Sequence, residues 1–184
     1  MRRLVVFNHV SLDGYFVDAS GDMSWVHKQD AEWTAFTAEN ATGGGALVFG
    51  RITYDMMAGF WPTPQAMQTM PIVAERMNQM PKVVFSRTLA DPAWKNTTVV
   101  KDNIVAEMGR MKTKSGPSMT ILGSGSIVSQ FAQEGLIDEY QIVVNPIVLG
   151  QGRTLFDGIQ KRLLLKLTKS RTFANGNILL SYRP

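Results

Sequence analysis

The chain has 184 residues, no cysteine and two histidines, and its 19 Lys and Arg against 15 Asp and Glu give a net charge of +4. This length is typical of one domain, so we predict that residues 1–184 form a single unit. The missing thiols exclude disulfides, thiolate-bound metals and cysteine nucleophiles, and they fit a cytoplasmic protein without a metal site. The basic residues are scattered, which disfavours nucleic acid as a partner and suits an anionic small molecule. No apolar stretch approaches the length of a membrane span, so we expect no membrane association.

The first part of the chain alternates between predicted strands and helices. Short β-branched apolar segments predict buried strands, and apolar residues three to four apart predict helices. The predicted strands cover residues 4–7, 46–49, 82–85, 98–100 and 119–122. The predicted helices cover residues 30–41, 51–58, 102–112 and 126–135, together with part of 66–79. Asp30 and Asp102 stand where N-capping side chains belong, and Gly135 stands where a helix ends.

After Asp138 the pattern changes to strands alone. Residues 139–149 form a long predicted strand that Pro146 interrupts. Residues 163–170 and 177–183 are two more predicted strands, and the dipeptide Asn175-Gly176 between them is typical of a hairpin. The whole order predicts an α/β fold with a mixed, mostly parallel central sheet that finishes in antiparallel strands. Because the late strands carry apolar residues on both faces, we expect a homodimer formed through them.

Three predicted strands end in groups that suit phosphate. Residues 122–126 join a strand to a helix, where glycines allow close backbone approach and helix amides attract an anion. Gly50-Arg51 and Ser86-Arg87-Thr88 follow two other strands, and the planar guanidinium of arginine suits a phosphate. An ordinary turn or a surface arginine explains each motif taken alone. Together, at the carboxyl ends of strands in one sheet, they indicate a nucleotide-binding edge.

The order of these segments resembles the dihydrofolate reductase superfamily, and within it the reductase domain of riboflavin biosynthesis and its stand-alone relatives. The segments that carry the resemblance are Ser11-Leu12-Asp13-Gly14-Tyr15 and residues 47–54, 82–89, 121–127 and 137–156. The resemblance implies a three-layer dihydrofolate-reductase-like fold that binds NADPH. It places Gly50, Arg51, Thr53, Ser86, Arg87 and Thr88 around the adenosine 2′-phosphate, and Gly123, Ser124, Gly125, Ser126 and Ile127 around the pyrophosphate.

On the substrate side the candidates are two carboxylates and three neighbouring side chains. Asp13 is either a turn residue or an acid close to the reacting carbon. Asp30 follows Trp25 at a spacing that resembles the substrate-binding acid of dihydrofolate reductases, although an N-cap also explains it. Trp25 and Trp61 are either pocket walls or core residues. Thr34 stands where dihydrofolate reductases usually carry a large apolar residue, which suits a smaller and more polar substrate.

The sequence is compatible with three functions. The resemblance implies an NADPH-dependent reductase that transfers hydride to a (phospho)ribosylamino-pyrimidine or a similar small heterocycle. Reduction of a dihydropteridine is the second, and a non-catalytic nucleotide-binding module is the third. For catalysis we expect Asp13 and Asp30 to face one cleft, where desolvation raises the pKa of a carboxyl so that it can supply a proton.

Overall fold

The computed structural model describes residues 1–26 and 30–184 and places helices on both faces of a central sheet. The strands are Leu4–Ser11 (β1), Tyr15–Asp18 (β2), Ala46–Gly50 (β3), Lys82–Phe85 (β4), Thr97–Val100 (β5), Met119–Leu122 (β6), Glu139–Asn145 (β7), Gly152–Thr154 (β8), Lys166–Thr172 (β9) and Ile178–Arg183 (β10). The helices are Ala31–Thr42 (α1), Arg51–Phe60 (α2), Pro64–Thr69 (α3), Pro71–Gln79 (α4), Ile104–Thr113 (α5) and Gly125–Gln133 (α6). This arrangement confirms the predicted α/β class.

The sheet has eight strands in the order β5-β4-β3-β6-β1-β7-β10-β9. Strands β5 through β7 in this order run parallel, whereas β10 is antiparallel to both β7 and β9. Strands β2 and β8 form a separate antiparallel ribbon. Parallel pairing brings the last residues of β3, β4, β6, β1 and β7 to one side of the sheet, which we call the carboxyl edge. Ligands of open α/β sheets bind at such an edge.

Strand β3 shows why the sheet is covered on both faces. Val48 packs in the cluster that contains Phe131 of α6, whereas the next residue, Phe49, packs in the cluster that contains Tyr54 of α2. Successive strand residues alternate between faces, so a strand that is apolar throughout needs a layer on each side. A third cluster packs Trp33 of α1 against strands β7 and β10.

The structure corrects several predicted strands. Strand β1 runs on to Ser11 because it continues to pair with β7 after its pairing with β6 ends at Phe7. The predicted strand 139–149 ends at Asn145, since Pro146 has no backbone N–H to donate. The predicted strand 163–170 lies at Lys166–Thr172 instead. Strands β2 and β8, of four and three residues, were not predicted because such short segments show too little periodicity.

Some of the predicted helix boundaries are correct and others are wrong. Asp30 is the N-cap of α1, and its Oδ1 accepts a hydrogen bond of 2.9 Å from Trp33 N. The predicted cap at Asp102 is wrong, because α5 starts after Asn103, which adopts a left-handed backbone at φ 50°. The Met-rich segment forms two helices, α3 and α4, each with proline in its first turn. Along the described ranges no helix is both long and apolar enough to cross a bilayer.

Candidate functional site

The carboxyl end of β6 enters a tight turn, Gly123-Ser124, that starts α6. Both residues adopt left-handed backbone, with φ of 55° and 58°. A side chain at Gly123 would lie 2.8 Å from Thr53, so the turn requires glycine there. Ser124 N donates to Thr53 Oγ1 over 3.0 Å, and Ser124 Oγ accepts from Gly50 N over 2.8 Å. With Thr53 8% and Ser124 7% exposed, these side chains hold the turn rather than face solvent.

Asn8 of β1 fixes the same turn from the other side. Its Oδ1 accepts from Gly123 N over 2.6 Å, and its Nδ2 donates to Gly123 O over 3.1 Å. The side chain is buried, so both of its polar atoms need these partners. Sequence reasoning missed Asn8, although a polar residue inside an apolar strand is the signal that would have identified it.

The start of α6 presents backbone amides at the carboxyl edge. The first N–H groups of a helix have no partner within the helix and carry the positive end of its dipole, which attracts an anion. Ser126 is exposed in this turn, whereas Ile127 is buried and its N bonds back to Ser124 O over 2.9 Å. A side chain at Gly125 would meet Phe16 of β2 at 3.0 Å, so this glycine also admits the β2–β8 ribbon.

Next to this turn, Arg51 connects the segment after β3 to the segment after β4. Its guanidinium donates to Thr88 Oγ1, and its Nε lies 3.3 Å from the carboxylate of Asp55. The Ser86 hydroxyl accepts from Thr88 N over 3.2 Å and so shapes the residues that follow β4. Arg87 is 85% exposed and 3.9 Å from Asp102. The predicted group around the 2′-phosphate therefore contains a contact between Arg51 and Thr88, with Arg87 on the adjoining surface.

Asp13 closes the loops that follow β1 and β7. Its two carboxylate oxygens accept from Leu149 N over 3.1 Å and Gly150 N over 2.7 Å. Hydrogen bonds from the Ser11 hydroxyl and from these two amides hold the pKa of Asp13 below its usual range. The expected rise of the pKa by desolvation is wrong for this residue, because its side chain is exposed and bonded to donors. Whether Asp13 contacts a substrate stays a prediction.

A second polar group lies where α1 meets β1, β7 and β10. The His9 ring lies edge-on to Trp33, with ring centroids 5.4 Å apart, and its Nδ1 is 3.4 Å from Asn145 Oδ1. Asn145 Nδ2 donates to the backbone oxygens of Val10 and Val143. The Oδ2 atom of Asp30 is buried and finds no hydrogen-bond partner among the residues that the structure describes. Sequence reasoning had selected Asp30 here but not His9, Trp33 or Asn145.

The remaining predicted substrate residues lie apart from this group or face outward. Thr34 is exposed on α1. Trp25 is half-buried in a short 3-10 turn, where its Nε1 donates to Asp22 O over 3.2 Å. Trp61 packs beside the cluster of Tyr54 and Trp94, which favours its interpretation as a core residue.

The comparisons agree with this architecture. Residues 2–179 match the RibD C-terminal domain family. The chain is 28% identical over 182 residues to the uncharacterized protein YyaP of Bacillus subtilis, covering 98% of this chain and 94% of that protein. Its structure is similar to that of a putative riboflavin biosynthesis protein from a Shewanella species, with TM-score 0.71, 26% identity and 98% of each chain covered.

A third similarity concerns the fold alone. The Thermotoga maritima diaminohydroxyphosphoribosylaminopyrimidine deaminase/5-amino-6-(5-phosphoribosylamino)uracil reductase matches with TM-score 0.68 and 14% identity, covering all of this chain and 56% of that protein. Fold, family and the resemblance to dihydrofolate reductases are therefore consistent, and the chain belongs to the RibD C-terminal domain family.

Proposed function

We propose that this protein is an NADPH-dependent reductase that transfers hydride to a (phospho)ribosylamino-pyrimidine or a similar small heterocycle. The observation that carries the proposal is the carboxyl edge itself, where the glycine turn before α6 and the Arg51–Thr88 contact lie on neighbouring strands. Membership of a family that contains pyrimidine reductases supports the reaction class.

The donor groups of the carboxyl edge suit a phosphorylated dinucleotide. The first-turn amides of α6 would hold the pyrophosphate, since they are fixed dipoles that need no rearrangement. Arg51 would bind the 2′-phosphate with the hydroxyl of Thr88, and the exposed Arg87 would add a second positive charge. The hydrogen bond between Gly50 and Ser124 joins β3 to the glycine turn, which keeps the two phosphate positions at a fixed separation.

When bound, the nicotinamide supplies the hydride, and the protein positions the substrate and manages a proton. Asp13 is ionised at neutral pH, as an aspartate of ordinary pKa would also be, and the lowering of its pKa favours this form further, so it suits an acceptor role toward a substrate hydroxyl. Asp30 is the better candidate for the substrate ring, since one of its oxygens already caps α1 and the other is buried at the second polar group.

An NADPH-oxidation screen tests the reaction. The panel contains 5-amino-6-(5-phosphoribosylamino)uracil, its dephosphorylated form, a dihydropteridine and simple quinones. We expect turnover with the ribosylaminopyrimidines and none with the dihydropteridine. NADPH binding without turnover on any compound would indicate a nucleotide-binding module instead and would contradict the proposed reaction.

We also propose that the protein forms a homodimer through its late strands. Strand β9 is exposed along nearly its whole length, and a groove of about 700 Å³ separates it and β10 from α1. One wall of the groove carries Lys169 and the other carries Glu39, so two copies related by a two-fold axis can pair opposite charges. A light-scattering mass of twice the 20.4 kDa of the chain is expected, and a monomer mass at micromolar concentration would contradict the dimer.

A further inference from the structure

Buried polar atoms without a hydrogen-bond partner lie at the junction between α1 and the hairpin that connects β9 to β10. Over the described ranges, the buried side-chain nitrogen and oxygen atoms without a hydrogen-bond partner are Asp30 Oδ2, Asn177 Nδ2 and Asn177 Oδ1. Asn177 is 0% exposed. A buried amide whose donor and acceptor are both unbonded costs stability, because both groups have lost their hydrogen bonds to water. Such a cost points to a partner that the free chain does not supply.

Strand register places Asn177 on the same face as the second polar group. Ile178 pairs with Val144 and Leu179 with Val143, so the preceding residue, Asn177, lies beside Asn145. Because side chains alternate between faces, Asn177 and Leu179 point to the same side, and Leu179 packs in the cluster of Trp33.

Direct contacts tie the start of α1 to this hairpin. The rings of Trp33 and Phe173 have centroids 4.9 Å apart, and Phe173 N donates to Asn177 O over 2.9 Å. Trp33 N in turn binds Asp30. Asp30 and Asn177 therefore flank the packed rings of Trp33 and Phe173. We call the site between them the α1 recess.

We propose that the α1 recess is the inner part of the substrate pocket and that Asn177 is a specificity-determining residue, which recognises an amide-type edge of a heterocycle. This inference rests on the proposed function and extends it. A carboxamide offers a donor and an acceptor side by side, which complements a ring carbonyl next to a ring N–H. The carboxylate of Asp30 accepts from a further N–H or amino group. Uracil-type rings carry this pattern, whereas apolar rings do not.

Entry to the recess requires α1 to separate slightly from the hairpin. At the rim, Glu32 accepts from Arg171 over 3.1 Å and from Ala174 N over 3.2 Å. The side chains of Glu32 and Arg171 are 42% and 38% exposed. Partly exposed ion pairs of this kind contribute little stability, so breaking this pair costs little, and the larger cost of opening is the loss of the buried contact between Trp33 and Phe173. A ligand bonded inside is withdrawn from water, which strengthens its hydrogen bonds.

The first test uses the stability of the ligand-free protein. Asn177→Leu keeps the number of side-chain heavy atoms and removes the unbonded polar ones, so we expect the melting temperature to rise by about 2 °C or more. Asn145→Leu is the matched control, because Asn145 is equally buried on the neighbouring strand but fully bonded, and its melting temperature should fall. A fall for Asn177→Leu as large as that for Asn145→Leu would overturn the proposal, since Asn177 would then have a structural partner.

The second test uses two ligands that differ only at the ring edge. By calorimetry, 5,6-diaminouracil should bind the wild type at least about tenfold tighter than its 1,3-dimethyl derivative, which lacks the ring N–H groups. Asn177→Leu should remove this difference. Equal or absent binding of the two compounds would overturn the proposal. Because neither readout uses NADPH turnover, failure of the proposed reaction would leave both results interpretable.

Discussion

The glycine turn at β6 and the α1 recess differ in how their buried polar groups are satisfied. In the turn, Asn8, Thr53 and Ser124 all use their polar atoms on neighbouring backbone or side chains. In the recess, Asp30 and Asn177 keep buried atoms that no described residue bonds. The first region is preformed by the chain alone, whereas the second is completed by a ligand. The difference suggests that the turn holds the cofactor and that the recess selects the substrate.

Of the substitutions considered, one at Gly123 should destabilise the protein most, because it disrupts the preformed glycine turn after β6. In Gly123→Ala the new methyl group would lie 2.8 Å from the bonded Thr53 side chain, in a left-handed backbone that alanine disfavours. We expect a loss of about 3 kcal/mol in the free energy of unfolding, measured by urea denaturation, together with weaker NADPH binding. Gly59→Ala is the control, since no heavy atom lies within 4 Å of its added methyl group inside α2. A Gly123→Ala variant as stable as Gly59→Ala would show that the turn is adaptable.

The Asp30→Asn substitution tests the α1 recess, the region that a ligand completes. Asparagine caps a helix as well as aspartate does, so the melting temperature should change little. If the free oxygen binds substrate, kcat/KM should fall about 100-fold, which corresponds to about 2.7 kcal/mol, with NADPH affinity unchanged. Turnover at the wild-type rate would instead reduce Asp30 to a helix cap. Asp13→Asn, assayed in parallel, shows whether the exposed carboxylate contributes to turnover as well.

The smallest expected effect concerns Asp13 and pH. Its pKa is lowered in the folded protein, because the Ser11 hydroxyl and the Gly150 and Leu149 amides bond to the ionised form. Its stabilisation is therefore complete above the ordinary aspartate pKa and is lost as pH falls through the lower, folded value. Thermal melts from pH 7 down to pH 2 should show a shallower acid decline for Asp13→Asn than for the wild type. Identical declines would mean that these hydrogen bonds add nothing to stability.

The sequence predicted the features that depend on neighbouring residues better than the features that depend on residues far apart in the chain. Residues 82–85 and 119–122 were predicted without error, because an apolar run between turn residues specifies a buried strand locally. Asn8 is recognisable as a polar residue in an apolar strand, but its partner, more than a hundred residues away, could not be predicted. The position of Asn177 depends on a strand register that periodicity does not encode. The β2–β8 ribbon escaped prediction because its two strands are too short to show periodicity.

Titration of NADPH and NADH by calorimetry tests the central claim, that the carboxyl edge binds a phosphorylated dinucleotide. The wild type should prefer NADPH by more than about tenfold, or about 1.4 kcal/mol. Arg51→Ala should lose most of this preference by weakening NADPH alone, whereas Arg110→Ala, which removes an exposed arginine paired with Glu107 on α5, should keep it. Equal affinity of the wild type for the two cofactors would contradict the assignment of Arg51 and Thr88 to the 2′-phosphate.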